Sequence, residues 1–203
     1  MERGTERHCA HCNGDMPLTA RAHARYCGPK CRAAAARARR AAADVAPPAE
    51  LRRLDRWVRR SATKVPLMAT GNAARSNDPS TWSTYADASS STTGAGLGFV
   101  LAGDGICVVD LDDALDDEGN PLPAVAAWLD TLPPTWVEVS PSGRGLHVWG
   151  RGVVLTCRKL RREDGIAGEV IGSRKYATVT GRPFRGSAPR LANISGPVRS
   201  LLN

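Results

Sequence analysis

A mixed α/β (α+β) domain with helices packed against a sheet, preceded by a small metal-binding module, is the architecture that three observations predict. Short apolar segments of strand length recur along the second half of the chain and alternate with helical patterns. Four cysteines cluster within the first 31 residues as C-x-x-C and C-x-x-x-C. Between the two regions, Ala46-Pro47-Pro48-Ala49 breaks any regular element. The reading divides the chain into a cysteine module with a basic helix over 1–43, a linker over 44–50 and a main domain over 51–203.

Residues 1–32 are punctuated by cysteine and lack hydrophobic periodicity, whereas AAAARARRAAA over 33–43 has the propensity of a helix. After the linker, Leu51, Leu54, Trp57 and Val58 recur at helical spacing, although the end of this segment suits a short strand equally well. Asp78-Pro79-Ser80-Thr81 is a helix opening, with the helix expected to run through Tyr85 to Ala88. A Ser/Thr/Gly loop follows over 89–96. Strands are predicted at Leu97–Leu101, Ile106–Leu111, Thr135–Val139 and Leu146–Trp149. Glu169–Ile171 and Tyr176–Thr180 read as a hairpin-like pair. Pro123 to Leu132 reads as a helix with Val125, Trp128, Leu129 and Leu132 on one face. Gly181 to Pro189 reads as a loop, followed by a short tail.

Composition narrows the function. The 203 residues carry a formal charge of +8, which favours a polyanionic partner. Residues 1–43 hold nine Lys/Arg against three Asp/Glu, and residues 44–203 hold 19 against 17, so the excess is concentrated at the N-terminus. No apolar stretch reaches membrane-spanning length, and MERGTERHCAHC lacks the apolar core of a signal peptide. The expectation is a cytoplasmic protein whose six cysteines stay reduced.

The densest chemistry lies in GICVVDLDD, Gly105 to Asp113. Period-two alternation puts Asp110 and Asp112 on one face of a strand. Two adjacent carboxylates repel, and one takes up a proton unless a cation sits between them. Oxygen ligands select a hard divalent ion, Mg²⁺ or Mn²⁺. A solvated acidic turn is the alternative for this segment. The following acids do not make a calcium loop of the EF-hand kind, because from Asp116 the sixth position is Pro121 rather than glycine.

Cys9, Cys12, Cys27 and Cys31 have the spacing of a closed four-thiolate structural zinc site, with Asn13-Gly14 turning the first knuckle. His8, His11 and His23 are possible substitutes for one thiolate. Arg37, Arg39 and Arg40 on the following helix would suit nucleic-acid phosphates, and a scaffold contacting another protein is the alternative. Cys107 and Cys157 read as ordinary packing residues.

Two further segments carry polar groups toward strands. Ser140-Pro141-Ser142-Gly143-Arg144-Gly145-Leu146-His147 is a small-residue loop in which Ser142, Arg144 and His147 suit an anion. Gly168-Glu169-Val170-Ile171 carries a third acid, and Gly172-Ser173-Arg174-Lys175 forms a basic turn. A β-turn with a half-buried histidine and a surface hairpin are the plainer readings.

In order, GFVLAGDGICVVDLDD, SPSGRGLHVW and GEVIGSRKYATVTGRPF resemble the three catalytic motifs of archaeo-eukaryotic primase–polymerases, in particular the phage and plasmid bifunctional DNA primase/polymerase domains. Asp110/Asp112, Gly145-x-His147 and Glu169 fill the family's slots, and Lys64-Val65-Pro66 and Asp78-Pro79-Ser80-Thr81-Trp82 resemble its opening segment. The resemblance covers about residues 55–185.

It implies an RRM-like catalytic core in which Asp110, Asp112 and Glu169 hold two Mg²⁺ or Mn²⁺ ions. His147, Ser142, Arg144, Lys64, Arg174 and Lys175 would meet the triphosphate of a dNTP or NTP, or the template. Trp82 is expected to pack its helix rather than stack on a base. The implied activity is template-directed nucleotidyl transfer that makes or extends primers on single-stranded DNA, during phage or mobile-element replication in a prokaryotic host. A separate replicative helicase would be a partner, since little chain follows the catalytic motifs. A metal-dependent nuclease or phosphoesterase, and a non-catalytic or partner-dependent nucleic-acid-binding replication module, are the alternatives.

Overall fold

The computed structural model describes residues 7–21, 23–35 and 45–203. The chain divides into two compact units, Met1–Val45 and Ala46–Asn203. In the first unit a β-bridge joins His8 to Asp15 around the Cys9–Cys12 turn, and residues 29–35 are helical. Arg37, Arg39 and Arg40, expected on that helix, lie outside the described residues.

The second unit is a mixed α/β domain built on two antiparallel sheets. One has the order β2-β1-β3-β9, from Pro66–Leu67, Trp57–Arg60, Gly96–Ala102 and Ser173–Val179. The other has the order β5-β6-β4-β8-β7, from Val137–Val139, Leu146–Arg151, Ile106–Asp112, Ala167–Ile171 and Arg158–Arg161. The helices are α1 (Ala49–Arg52), α2 (Tyr85–Ser90), α3 (Pro123–Leu129) and α4 (Ser195–Leu202), with a 3₁₀ turn at Pro79–Thr81.

Tertiary pairing overrides local pattern in several places. The helical spacing after Leu51 ends within one turn, because Trp57–Arg60 pairs with β3 and buries Trp57 edge-on against Tyr85 and Phe99. The helix expected from Asp78 is broken. Asp78 caps only the 3₁₀ turn, and Ser83 exchanges backbone hydrogen bonds with Trp57. Thr84 then restarts the helix, its hydroxyl accepting from the Asp87 N–H.

The pair read as a hairpin is not one. β8 and β9 are separated only by Gly172 and belong to different sheets, β8 between β4 and β7 and β9 beside β3. β3 and β4 likewise hand the chain from one sheet to the other. The two crossings touch where the Gly103 N–H donates to the Gly172 carbonyl at 2.9 Å.

The five-stranded sheet buries one face under α3 and α4. Val109, Leu111, Leu146, Val148, Leu160 and Val170 meet Val125, Trp128, Val198 and Leu201 there. Trp128 ties the two helices by donating its indole N–H to the Pro197 carbonyl. The opposite face also buries Ile106, Val108, Trp149 and Ile171, with Trp149 edge-on to Phe99, and carries the polar side chains beside them. Trp82 packs beside Val58, Ala74 and Val100 and donates to the Arg75 carbonyl, so its role is packing. Among the described residues no helix is long and apolar enough to cross a membrane.

Candidate active site

Sheet register builds the site. Asp110 stands opposite His147 on one side and Glu169 on the other, and His147 in turn stands opposite Glu138. Residues opposite each other share a face, so Glu138, His147, Asp110 and Glu169 form one row across four strands. Asp112, two residues on, shares that face. The row borders a cleft of about 690 Å³ whose lining includes Asp110, Asp112, His147, Glu169, Ser142, Lys64 and Lys175.

Two glycines let the neighbouring strands close on β4. A Cβ at Gly145 would lie 2.5 Å from the Leu111 carbonyl oxygen, and one at Gly168 would lie 1.9 Å from that of Asp110. Gly168 also has φ 143, which side chains disfavour. The glycine two before His147 and the glycine before Glu169 are thus required by strand spacing, independently of any ligand. Asp113 (φ 42) and Lys64 (φ 63) are left-handed without being glycine, and both border the cleft.

His147 is buried, and its two ring nitrogens meet two carboxylates. Nδ1 lies 3.2 Å from Glu138 Oε1, and Nε2 lies 3.4 Å from Asp110 Oδ1. Glu138 is fully buried and saturated. Its Oε1 also accepts from the Trp149 indole, and its Oε2 accepts from the backbone N–H groups of Thr180 and Gly181, each at 3.0–3.1 Å. Held between these two carboxylates, the ring is fixed with Nδ1 toward Glu138 and Nε2 toward Asp110. Sequence reasoning missed Glu138, because Val137-Glu138-Val139 reads as an ordinary alternating strand whose acid faces water.

Burial raises the Asp110 carboxyl above the usual carboxylate range, with Asp112 and Glu169 adding to the rise and His147 and Lys64 opposing it. Both Glu169 oxygens accept from Lys175 Nζ, at 2.8 and 2.7 Å, and this pairing holds the ammonium above its ordinary value. Lys64 is fixed through its backbone, whose carbonyl accepts from the Tyr176 hydroxyl. Ser142 shares a hydrogen bond with Ser140 and caps the Arg144 N–H.

Two expected anion contacts lie elsewhere. Arg144 donates to Asp113 and Asp117, both at 3.1 Å, and Arg174, in a left-handed turn (φ 54), is not among the cleft-lining residues. The donor set is one of hard oxygen ligands: Asp110 and Asp112 face the cleft with solvent access, and Glu169 borders it with both oxygens held by Lys175.

The four cysteine sulfurs of the first unit all lie within 4.8 Å of one another, and among the described residues no other group closes so tightly. A tetrahedral ion about 2.3 Å from each sulfur sets sulfur–sulfur edges of about 3.8 Å. Cys12–Cys27 is 3.8 Å and Cys27–Cys31 is 3.4 Å. Backbone N–H groups of Cys12 and Cys27 lower the Cys9 thiol to about 6, whereas neighbouring Cys27 and Cys12 push Cys31 up to about 12. Four thiols at this spacing share charge poorly without a cation, so the set fits zinc. His8 pairs instead with Asp15 at 3.1 Å.

A phage protein from Nitratiruptor phage NrS-1, named "DNA Primase-polymerase", is 36% identical over 137 residues, covering 64% of this chain and 19% of that protein. The chain therefore spans about a fifth of that relative's length. The profile of the family "Bifunctional DNA primase/polymerase, N-terminal" matches residues 29–197, most of the chain, and takes in every element of the carboxylate cleft. With its paired acids, its glycine-spaced histidine and its third acid held on adjacent strands, the chain belongs to the bifunctional DNA primase/polymerase N-terminal domain family.

Proposed function

We propose that this chain is the catalytic module of a DNA primase/polymerase, which joins dNTPs or NTPs to a 3′-hydroxyl on a single-stranded DNA template. The observation that carries the reading is the row in which Asp110 stands between His147 and Glu169, beside Asp112 and across the cleft lining from Lys64 and Lys175. Asp110, Asp112 and Glu169 would hold two Mg²⁺ or Mn²⁺ ions. When bound, such ions ready the attacking hydroxyl and neutralise charge on the triphosphate.

The side chains of the chain itself supply position and charge. His147, oriented by Glu138, keeps Asp110 in place and presents its Nε2 edge to the cleft. Lys64 and Lys175 bind phosphate oxygens, and Lys175 leaves Glu169 as the triphosphate arrives. Ser142 donates from the loop, and Arg144 and Arg174 contribute from the rim once Arg144 releases Asp113 and Asp117. Ordered donors of this kind suit a triphosphate better than an activated water, which favours polymerisation over a nuclease. The cysteine module would bind structural zinc and grip DNA. A separate helicase would open the duplex, and the work would take place in the cytoplasm of a phage-infected or plasmid-bearing host.

The test is nucleotide incorporation on single-stranded DNA with Mg²⁺ or Mn²⁺, with and without an annealed primer. Wild type is expected to incorporate, and Asp110→Ala/Asp112→Ala to lose at least about a thousandfold of rate. Incorporation that survives in the double variant overturns the assignment of these carboxylates.

A further inference from the structure

The polar row continues past Glu169. On the edge strand β7, Lys159 stands opposite Glu169 and Arg161 opposite Ala167, while Ala167 in turn stands opposite Asp112. Two lines therefore run outward over the cleft face of the sheet, Asp110–Glu169–Lys159 and Asp112–Ala167–Arg161. With strands about 4.8 Å apart, each cation's backbone sits about 10 Å from that of its carboxylate. Small Ala167 leaves the second line open. Arg158 and Leu160 point to the other face, where Leu160 is buried in the core.

Three cations around these lines are already engaged. Lys175 is bound to Glu169, Arg144 to Asp113 and Asp117, and Arg162 to Asp164 and the carbonyls of Ser200 and Leu201. Lys159 and Arg161 are exposed, and no hydrogen bond or ion pair engages either side chain among the described residues. Charged side chains on an edge strand also discourage pairing with another chain. That role is indifferent to which face carries the charge, and Arg158 would serve it equally.

We propose that Lys159 and Arg161 form a track for backbone phosphates of the growing strand, whose 3′ end lies at Asp110 and Asp112. This rests on the polymerase reading for the identity of the strand. A 3′ terminus at the carboxylates must have its preceding phosphates leave the cleft over one side of the sheet. On the β5 side the row ends in buried His147 and Glu138 and offers no cation. The β7 side offers two free cations at the reach of long side chains. Being sequence-independent, such contacts suit an enzyme that must accept any primer.

The experiment measures affinity of the full-length protein for a labelled primer–template by fluorescence anisotropy across a salt series. Lys159→Ala/Arg161→Ala is expected to reduce the slope of log K against log salt by about 1.4–1.8, at about 0.7–0.9 for each phosphate no longer neutralised. Affinity at low salt is expected to fall at least tenfold, with KM for nucleotide unchanged. Arg158→Ala, on the opposite face, is expected to leave the slope as in wild type.

An unchanged slope in the double variant, or an equal change in Arg158→Ala, overturns the track. An equal loss of affinity for a template oligonucleotide without primer overturns its assignment to the growing strand. Incorporation by the wild type is measured separately. Its absence would count against the polymerase reading while the face-specific slope still decides whether phosphates bind here.

Discussion

The two units solve the problem of holding charged side chains together in opposite ways. In the cysteine module the site is the scaffold. Cys9 is its one buried core residue among the described residues, and the turns around it close on the sulfurs. In the catalytic unit the scaffold exists without the site. Its apolar face packs under α3 and α4, and the carboxylates ride on the other face of a sheet already held from behind. A ligand on which the first unit depends for folding would have to be permanent, whereas one entering the second would be free to come and go.

Metal removal draws the sharpest line between the units. Structural zinc supplies on the order of 10 kcal/mol to a module of this kind. A strong chelator is expected to abolish the ordered signals of residues 7–21 and 23–35 in an amide NMR spectrum while the main thermal transition of the second unit persists. Loss of both together would mean that the second unit also depends on the metal.

The scaffold itself is broken by crowding β4. Gly168→Ala places a methyl group on the Asp110 carbonyl in a backbone conformation that alanine avoids, and is expected to cost about 3 kcal/mol or more in denaturant unfolding. A neutral result would show that β4 and β8 yield easily and that the carboxylate row is soft.

Glu138→Gln probes positioning without that disruption. The amide keeps the shape but donates where the carboxylate accepted, so the orientation of His147 is lost. Incorporation is expected to fall about 10- to 100-fold, with KM for nucleotide little changed and the thermal transition retained. An equal fall in His147→Ala and in the double variant would show that the two act as one unit.

The smallest effect concerns Asp110 in the absence of divalent cations. Its folded-state carboxyl is raised, so above that raised value the ionised form opposes folding, and the penalty fades as pH falls through it. With about a third of the side chain facing solvent, Asp110→Asn is expected to stabilise the cation-free protein by no more than about 1 kcal/mol at neutral pH. Thermal midpoints of wild type and variant should converge on acidification. A gap that widens at low pH would reverse the sign of the assignment.

What the sequence disclosed follows the same division. Period-two alternation was enough to put Asp110 and Asp112 together, and cysteine spacing was enough to group four sulfurs, because both are local. The strand β7 escaped, since Arg158-Lys159-Leu160-Arg161 offers one apolar residue to a core contributed by α4, forty residues later. The separation of β8 from β9 escaped because a single glycine between two apolar strands resembles a turn until their partners are known. Glu138 escaped for a different reason. Its burial is created by Thr180, Gly181 and Trp149, none of which its own strand announces.

The hydrogen bond between Gly103 and Gly172 joins the only two points, among the described residues, at which the strands of one sheet pass directly into those of the other. Two adjoining crossings keep the sheets from sliding along each other at this edge, and the N–H groups of Thr180 and Gly181, donating to Glu138, join them again beyond the end of β9. Glu169 and Lys175 sit three residues on either side of Gly172, and that joint keeps them within reach of each other. Lys64 belongs to the other sheet, anchored there through Tyr176. The width of the mouth is thus set by two fastenings of sheet to sheet, neither of them in a loop that lines it, and is read most directly from the separation of Lys64 and Asp110.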